Sequence, residues 1–181
     1  MSVAAFAAAP DFAEPLEAWR VWRVVERDDG LALASIVKHT IWPAGEPLHA
    51  ECLRCRQIPK WLWRRPSHEA PTAPCECGIY AASLEHALVY LRDGFPDALL
   101  RVIGRVALWG TVVECERGYR ASHAYPLSLH VPVDTTPSPP CSPAEIAEEL
   151  ARYTADVRLV RRRRPGRGAT ALSPGALGGR G

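Results

Sequence analysis

Apolar and polar residues alternate with the two-residue period of a β-strand in several parts of this chain. The segment AWRVWRVVE (18–26) is rich in β-branched and aromatic residues and carries apolar side chains on both faces. Asp28-Asp29-Gly30 is a turn signal, and LALASIV (31–37) has the composition of a returning strand. We therefore expect an N-terminal β-hairpin.

The strongest strand pattern is RVIGRVALWGTVVE (101–114), which a Glu116-Arg117-Gly118 turn connects to YRASHAYPL (119–127). Gly104 and Gly110 interrupt the first of these strands. Glycines inside a strand favour bulges or sharp coiling, by which small sheets curl into barrels. The pattern predicts a long, bent hairpin.

Two segments have the 3.6-residue period of an amphipathic helix. The first covers about 84–92, where Ser83 can cap the helix, and its apolar stripe consists of Leu84, Ala87, Leu88 and Leu91. The second begins at Ser142-Pro143-Ala144-Glu145, which fits a capping box with proline at the first helical position. Its pattern continues to about Ala155. We expect both helices to pack against the predicted sheet.

Charge divides the chain into an acidic body and a basic tail. The chain has 181 residues, which is enough for one domain of ordinary size, and 48% of them are apolar. From Arg158 onward there are seven arginines and no acid, whereas residues 1–157 contain 15 basic and 20 acidic side chains. We predict a flexible lead-in over 1–17, one domain over 18–157 and a disordered Arg-rich tail over 158–181, whose composition cannot form a core.

Signals for export or membrane insertion are not evident. The start MSVAAFAAAP lacks a basic region and is followed by acids at Asp11 and Glu14. No run of 18 apolar residues is present. We therefore predict a cytoplasmic protein without membrane association. In that reducing compartment, clustered cysteines indicate a metal site more often than disulfides.

Four of the six cysteines and one histidine lie close together in the segment His49–Ala81. These five candidates are Cys52, Cys55, His68, Cys75 and Cys77. Thiolates with one or two imidazoles in a tetrahedron are the usual ligands of structural zinc. Cys52, Cys75 and Cys77 are the first three ligands that we predict. His68 and Cys55 compete for the fourth position, for which we favour His68.

Cys75-Glu76-Cys77 requires a turn, because a strand would direct the two sulfurs to opposite faces of a sheet. Gly78 follows directly and gives the backbone freedom for that turn. A closed zinc site here would stabilise a proline- and arginine-rich stretch that has little apolar side chain to bury. The resulting expectation is an α+β fold: a curled, mainly antiparallel sheet with an inserted zinc-binding loop and two packed helices.

Three other interpretations of the cysteines compete with the structural zinc site. One is a group of reduced structural cysteines without metal. A redox pair at Cys52-x-x-Cys55 is not expected, since the strand-to-helix context that lowers a thiol pKa is not apparent. The fragment from His68-Glu69 to Cys75-Glu76-Cys77 differs from the zinc deaminase signature, because its histidine and glutamate are adjacent and its cysteines are one residue too close. The structural zinc site is favoured.

Three stretches of the chain resemble a group of small actinobacterial proteins. They are CECGIYA (75–81), GRVALWGTVVE (104–114) and the segment from Arg120-Ala121 to Ala124-Tyr125-Pro126. The shared pattern has the form C…HxxP…CxCGIYA, then GxVxLWGxVVE, then RAxxAYP, and the resemblance extends over roughly 18–155. In it, the first cysteine corresponds to Cys52 and the histidine to His68. The resemblance therefore implies the same four ligands, and it implies no particular activity.

Together these patterns favour a zinc-stabilised binding or regulatory module without catalytic activity, acting on a protein partner. No phosphate-binding loop, nucleophile elbow or His-Glu-x-x-His helix is present. One alternative is nucleic-acid association through the tail arginines, since flexible arginines neutralise phosphates; these are Arg161, Arg162, Arg163, Arg164 and Arg167. Another is a zinc hydrolase with an open coordination position.

Overall fold

A computed structural model describes residues 14–38, 40–57, 68–91, 99–134 and 140–161. Those residues form eight strands and three helices in an α+β arrangement. In chain order they are β1 (Leu16–Arg27), β2 (Gly30–Ser35), β3 (Leu48–His49), α1 (Leu53–Gln57), β4 (Ile79–Ala82), α2 (Leu84–Val89), β5 (Leu100–Cys115), β6 (Gly118–Pro126), β7 (Leu129–Pro132), α3 (Pro143–Leu150) and β8 (Val157–Val160).

Both predicted hairpins are confirmed. β1 pairs with β2 from Trp22–Ser35 to Arg27–Gly30 around the predicted turn. β5 pairs with β6, and the register shifts near Gly110, which has a φ of +74°. Gly104 serves a different purpose, because a Cβ atom there would lie 1.7 Å from the Ser128 carbonyl oxygen. This close approach lets the chain cross β5 tightly as it leaves β6 for β7.

The sheet curls until strands distant in sequence meet. Its order is β2-β1-β4-β6-β5-β7-β8, with β3 attached to β6 and β1 also paired with β5. β4 therefore touches β6 on one side and β1 on the other, where Trp19 pairs with Ala82. All named pairings are antiparallel except that of β7 with β8. This arrangement confirms the predicted curled, mainly antiparallel sheet.

The main core lies on the inner face of the curled sheet. Trp22 and Trp42 are almost fully buried there and pack edge to face, with ring centroids 5.4 Å apart. α3 begins with the predicted Ser142–Glu145 capping box and contributes Ile146 and Leu150 to this core. α2 begins at the predicted Ser83 cap and packs on the opposite face of the sheet against Val21 and Ile103.

Three expectations need correction. A third helix, α1, lies within the cysteine-rich segment, and α3 ends at Leu150 rather than near Ala155. The predicted tail began at Arg158, but β8 places Val157–Val160 in the sheet, parallel to β7. Four residues are too few to show a period, and the partner strand supplies the pairing. Residues 1–13 and 162–181, which include most of the predicted lead-in and tail, lie outside the described residues.

Candidate metal centre

Four predicted ligands converge at one end of the sheet. They are Cys52, His68, Cys75 and Cys77, and their donor atoms all lie within 4.8 Å of one another. Cys52 and Cys77 are buried, whereas His68 and Cys75 are half-buried. The group could hold a metal ion, as the spacing of its residues in the sequence predicted. Ala50 and Ala70 pack in the same small cluster as these cysteines.

Distances between donors fit the dimensions of a tetrahedral site. The sulfurs of Cys52 and Cys75 are 3.8 Å apart. Two thiolates bound to one tetrahedral zinc at about 2.3 Å would be separated by about 3.8 Å. His68 Nε2 lies 3.2 Å from the Cys77 sulfur, close to the roughly 3.6 Å expected for an imidazole and a thiolate on one zinc. These two donor–donor distances are therefore close to those around a tetrahedral ion.

Cys52 is positioned by the junction between β3 and α1. β3 is fixed to β6, and the Ala50 N–H donates to the Ser122 carbonyl at 2.7 Å. Cys52 directly precedes the first residue of α1. Burial raises the pKa of its thiol, but hydrogen bonds from the Cys55 backbone and from the thiols of Cys55 and Cys75, with the charge of His68, lower that pKa to about 6. The sequence pattern does not show a strand-to-helix context for Cys52, but the structure places this residue between β3 and α1.

The Cys75–Cys77 segment forms the predicted turn. The Cys75 N–H donates to the Thr72 carbonyl at 3.1 Å. Gly78 then has a φ of +118°, and a Cβ atom there would lie 2.9 Å from the Cβ of Pro71, so both the conformation and the space require glycine. β4 begins at the next residue and pairs with β6. The turn therefore delivers both sulfurs to the same pocket.

Arg120 joins this turn to the sheet. Its side chain is 7% exposed, and one guanidinium nitrogen donates to the carbonyls of Cys75 and Cys77, the latter at 3.0 Å. Its Nε–H donates to the Cys115 sulfur at 3.2 Å, and its guanidinium lies 5.9 Å from the centre of the Tyr80 ring. Sequence reasoning did not identify Arg120 or Cys115 as part of this region, because both lie some 40 residues from the turn.

Cys55 lies beside the four-residue group rather than within it. Its sulfur is 3.4 Å from His68 Nδ1, on the opposite side of the ring from Cys77. The group of donor atoms within 4.8 Å of one another thus includes His68 and leaves out Cys55. The choice of His68 as the fourth ligand stays a prediction. Burial raises the pKa of the Cys55 and Cys77 thiols. Because a bound cation favours thiolates, it would offset this cost of burial.

Most of the proposed nucleic-acid-binding residues lie outside the described part of the chain. Arg161 is exposed directly after β8, while Arg162, Arg163, Arg164 and Arg167 are not described. Of the three helices found in the described ranges, none has the length and apolar character needed to cross a membrane. The comparisons with known proteins returned no matching family model, curated protein or solved structure. The similarity to actinobacterial proteins stays a prediction from the motifs.

Proposed function

We propose that this protein is a zinc-stabilised binding or regulatory module without catalytic activity. The observation that carries the proposal is the convergence of three cysteines and one histidine within 4.8 Å of one another. Sulfur-rich donor sets of this kind select zinc over magnesium or calcium, which prefer oxygen ligands. The ion would connect the start of α1 with the Cys75–Cys77 turn that leads into β4.

The geometry supports a structural rather than a catalytic role for this zinc. Four protein donors fill a tetrahedral coordination sphere, whereas a catalytic zinc retains a position for water or substrate. Cys52 and Cys77 are 7% and 2% exposed, so solvent reaches the inner part of the pocket poorly. A hydrolase with an open coordination position is therefore the less favoured alternative.

Metal analysis of the wild-type chain tests this proposal. We expect one zinc ion per chain by elemental analysis after purification without added metal. Replacement by Co²⁺ should give the intense visible absorption of a tetrahedral ion and a sulfur-to-metal charge-transfer band. Octahedral cobalt spectra, or a protein that folds identically with and without a strong chelator and contains no metal, would contradict a structural zinc site.

A second candidate function is association with nucleic acid through the Arg-rich tail. It is supported by the charge segregation of the chain, with seven arginines and no acid from Arg158 onward. Such binding would be insensitive to sequence and would weaken steeply with salt. We expect truncation after Arg161, which leaves β8 intact, to abolish binding to a random DNA duplex at low salt. Unchanged affinity of the truncated protein would exclude the tail as the binding element.

A further inference from the structure

The metal centre contains one more candidate donor than a tetrahedral ion can bind, because four thiols and one imidazole lie together. Cys55 is hydrogen-bonded to the Cys52 thiol and contacts His68 Nδ1 at 3.4 Å, although it is not part of the four-donor group. A zinc ion held by the other four residues has no coordination position left for it. Cys55 is therefore a thiol that touches two ligands of the site without being a ligand itself.

The orientation of His68 gives Cys55 a defined place around the ion. Its Nε2 faces the Cys77 sulfur at 3.2 Å, inside the donor group. When Nε2 binds the metal, Nδ1 carries the hydrogen and donates it to the Cys55 sulfur. Metal-bound histidines usually donate their second N–H to a carboxylate, carbonyl or water. In this chain a thiol occupies that position, so a change at Cys55 also affects how His68 is held.

Access distinguishes the two cysteines of the Cys52-x-x-Cys55 pair. Cys52 is buried, whereas Cys55 is half-exposed in the first turn of α1. Of these two thiols, Cys55 is the one that a small oxidant from solvent can reach more easily. Because the two thiols are already in contact, a disulfide between them requires only a local movement of one turn.

We propose that Cys55 is the site at which hydrogen peroxide oxidises this centre, and that the resulting Cys52–Cys55 disulfide releases the zinc. The inference rests on the zinc site proposed above. It assigns to the chain a modification site that the structural role of the metal does not require.

The chemistry takes place in two steps. Cys55 first loses its proton to water, and its thiolate attacks one peroxide oxygen. The O–O bond breaks, and the departing hydroxide takes up a proton and leaves as water. Cys55 is now a sulfenic acid. The Cys52 thiolate, which would be bound to the ion, then attacks the Cys55 sulfur. The S–S bond forms, the S–O bond breaks as hydroxide leaves, and Cys52 would give up its bond to the ion. Two electrons pass from the two sulfurs to the peroxide, and the ion retains only His68, Cys75 and Cys77.

The test is a peroxide titration of the reduced, zinc-loaded full chain. Zinc release is followed with a chromogenic chelator, and the disulfide is mapped by mass spectrometry after alkylation of the remaining thiols. We expect wild type to release its zinc with formation of a Cys52–Cys55 disulfide. Cys55→Ser and Cys55→Ala should bind zinc, and peroxide should release that zinc at least about tenfold more slowly than from wild type. Cys141 packs against the main core, so the control Cys141→Ser should release zinc like wild type.

Each contrary outcome has its own meaning. A Cys55→Ser protein that releases zinc as fast as wild type would overturn the proposal, and so would a disulfide between Cys52 and Cys75, whose sulfurs are 3.8 Å apart. If both Cys55 variants fail to bind zinc, Cys55 is a ligand and the proposal is wrong, while the zinc site stands. Reduced wild type without bound zinc would overturn the proposed function, and the release step with it.

Discussion

Replacing Cys77 by serine is expected to abolish zinc binding and to unfold the part of the protein built around the Cys75–Cys77 turn. Cys77 is 2% exposed and its sulfur lies 3.2 Å from His68 Nε2, near the centre of the donor group. Serine cannot supply a thiolate, and its hydroxyl would be buried. With three remaining ligands the coordination sphere would be open to water, so the ion would no longer be enclosed by the protein.

The size of the stability loss expected for Cys77→Ser follows from the free energy with which structural sites bind zinc. Structural zinc binds small folded peptides with an apparent free energy of roughly 10–16 kcal/mol. A native domain is stable by only about 5–15 kcal/mol. Because the metal binds the folded chain in preference to the unfolded one, its loss removes a large part of that margin. We therefore expect Cys77→Ser to lower the melting temperature by more than about 10 °C.

Zinc content and thermal unfolding, measured on the same preparations, check this prediction. Cys52→Ser, His68→Ala and Cys75→Ser should behave like Cys77→Ser. Cys141→Ser is the matched control, because Cys141 is a half-buried cysteine that packs against the main core and takes no part in the donor group. A Cys77→Ser protein that keeps one zinc ion and melts with wild type would show that the donor group is not the metal site.

The second large effect is expected at Arg120, and its first cause is electrostatic. If the proposed Zn²⁺ is bound, three thiolates and one neutral imidazole around it would leave the centre with a net charge of about −1. Burial alone lowers the pKa of Arg120, but its hydrogen bond to Cys115 and the nearby negative groups raise it, so the guanidinium stays charged. This positive charge lies against the carbonyls of two of the ligands and offsets the charge of the centre.

The second cause of the effect expected at Arg120 is geometric. The guanidinium binds the carbonyls of Cys75 and Cys77 together, and hydrogen bonds to a charged donor contribute about 1.5–3 kcal/mol each. We expect Arg120→Met to reduce zinc affinity about 10–100-fold, as removal of outer partners of metal ligands usually does. The same variant should lose about 3 kcal/mol of stability with zinc bound. Arg120→Lys should recover part of the affinity, since it restores the charge without the forked donors.

Competition with a chelator of known affinity measures the zinc affinity of each variant. Denaturant unfolding at saturating zinc measures the stability of the zinc-bound protein. Arg105→Met is the matched control. Arg105 forms an exposed ion pair with Glu17 at 2.7 Å, a type of pair that contributes little to stability. If Arg120→Met and Arg105→Met had equal zinc affinities, Arg120 would be a residue of the sheet without influence on the metal centre.

Much of the local structure could be predicted because it depends on short-range patterns. The alternation in β1 and β2 and the turn between them specify a hairpin without reference to the rest of the chain. Ser83 and the Ser142–Glu145 capping box mark helix starts for the same reason, since both ends of each hydrogen bond lie within four residues. The sequence pattern does not predict β8, because four residues are too few to show a two-residue period and the strand depends on β7 for its hydrogen bonds.

For the metal centre, the sequence by itself determined the donor chemistry: thiols and an imidazole, grouped closely enough for one ion. Only the tertiary structure decided how five candidates divide into four donors and one neighbour. Cys52 and Cys75 are 23 residues apart, and their distance depends on the pairing of β3 and β4 with β6. Arg120 reaches the site from that same strand. Residue types specify which atoms can bind a metal, whereas long-range strand pairing determines which of those atoms meet.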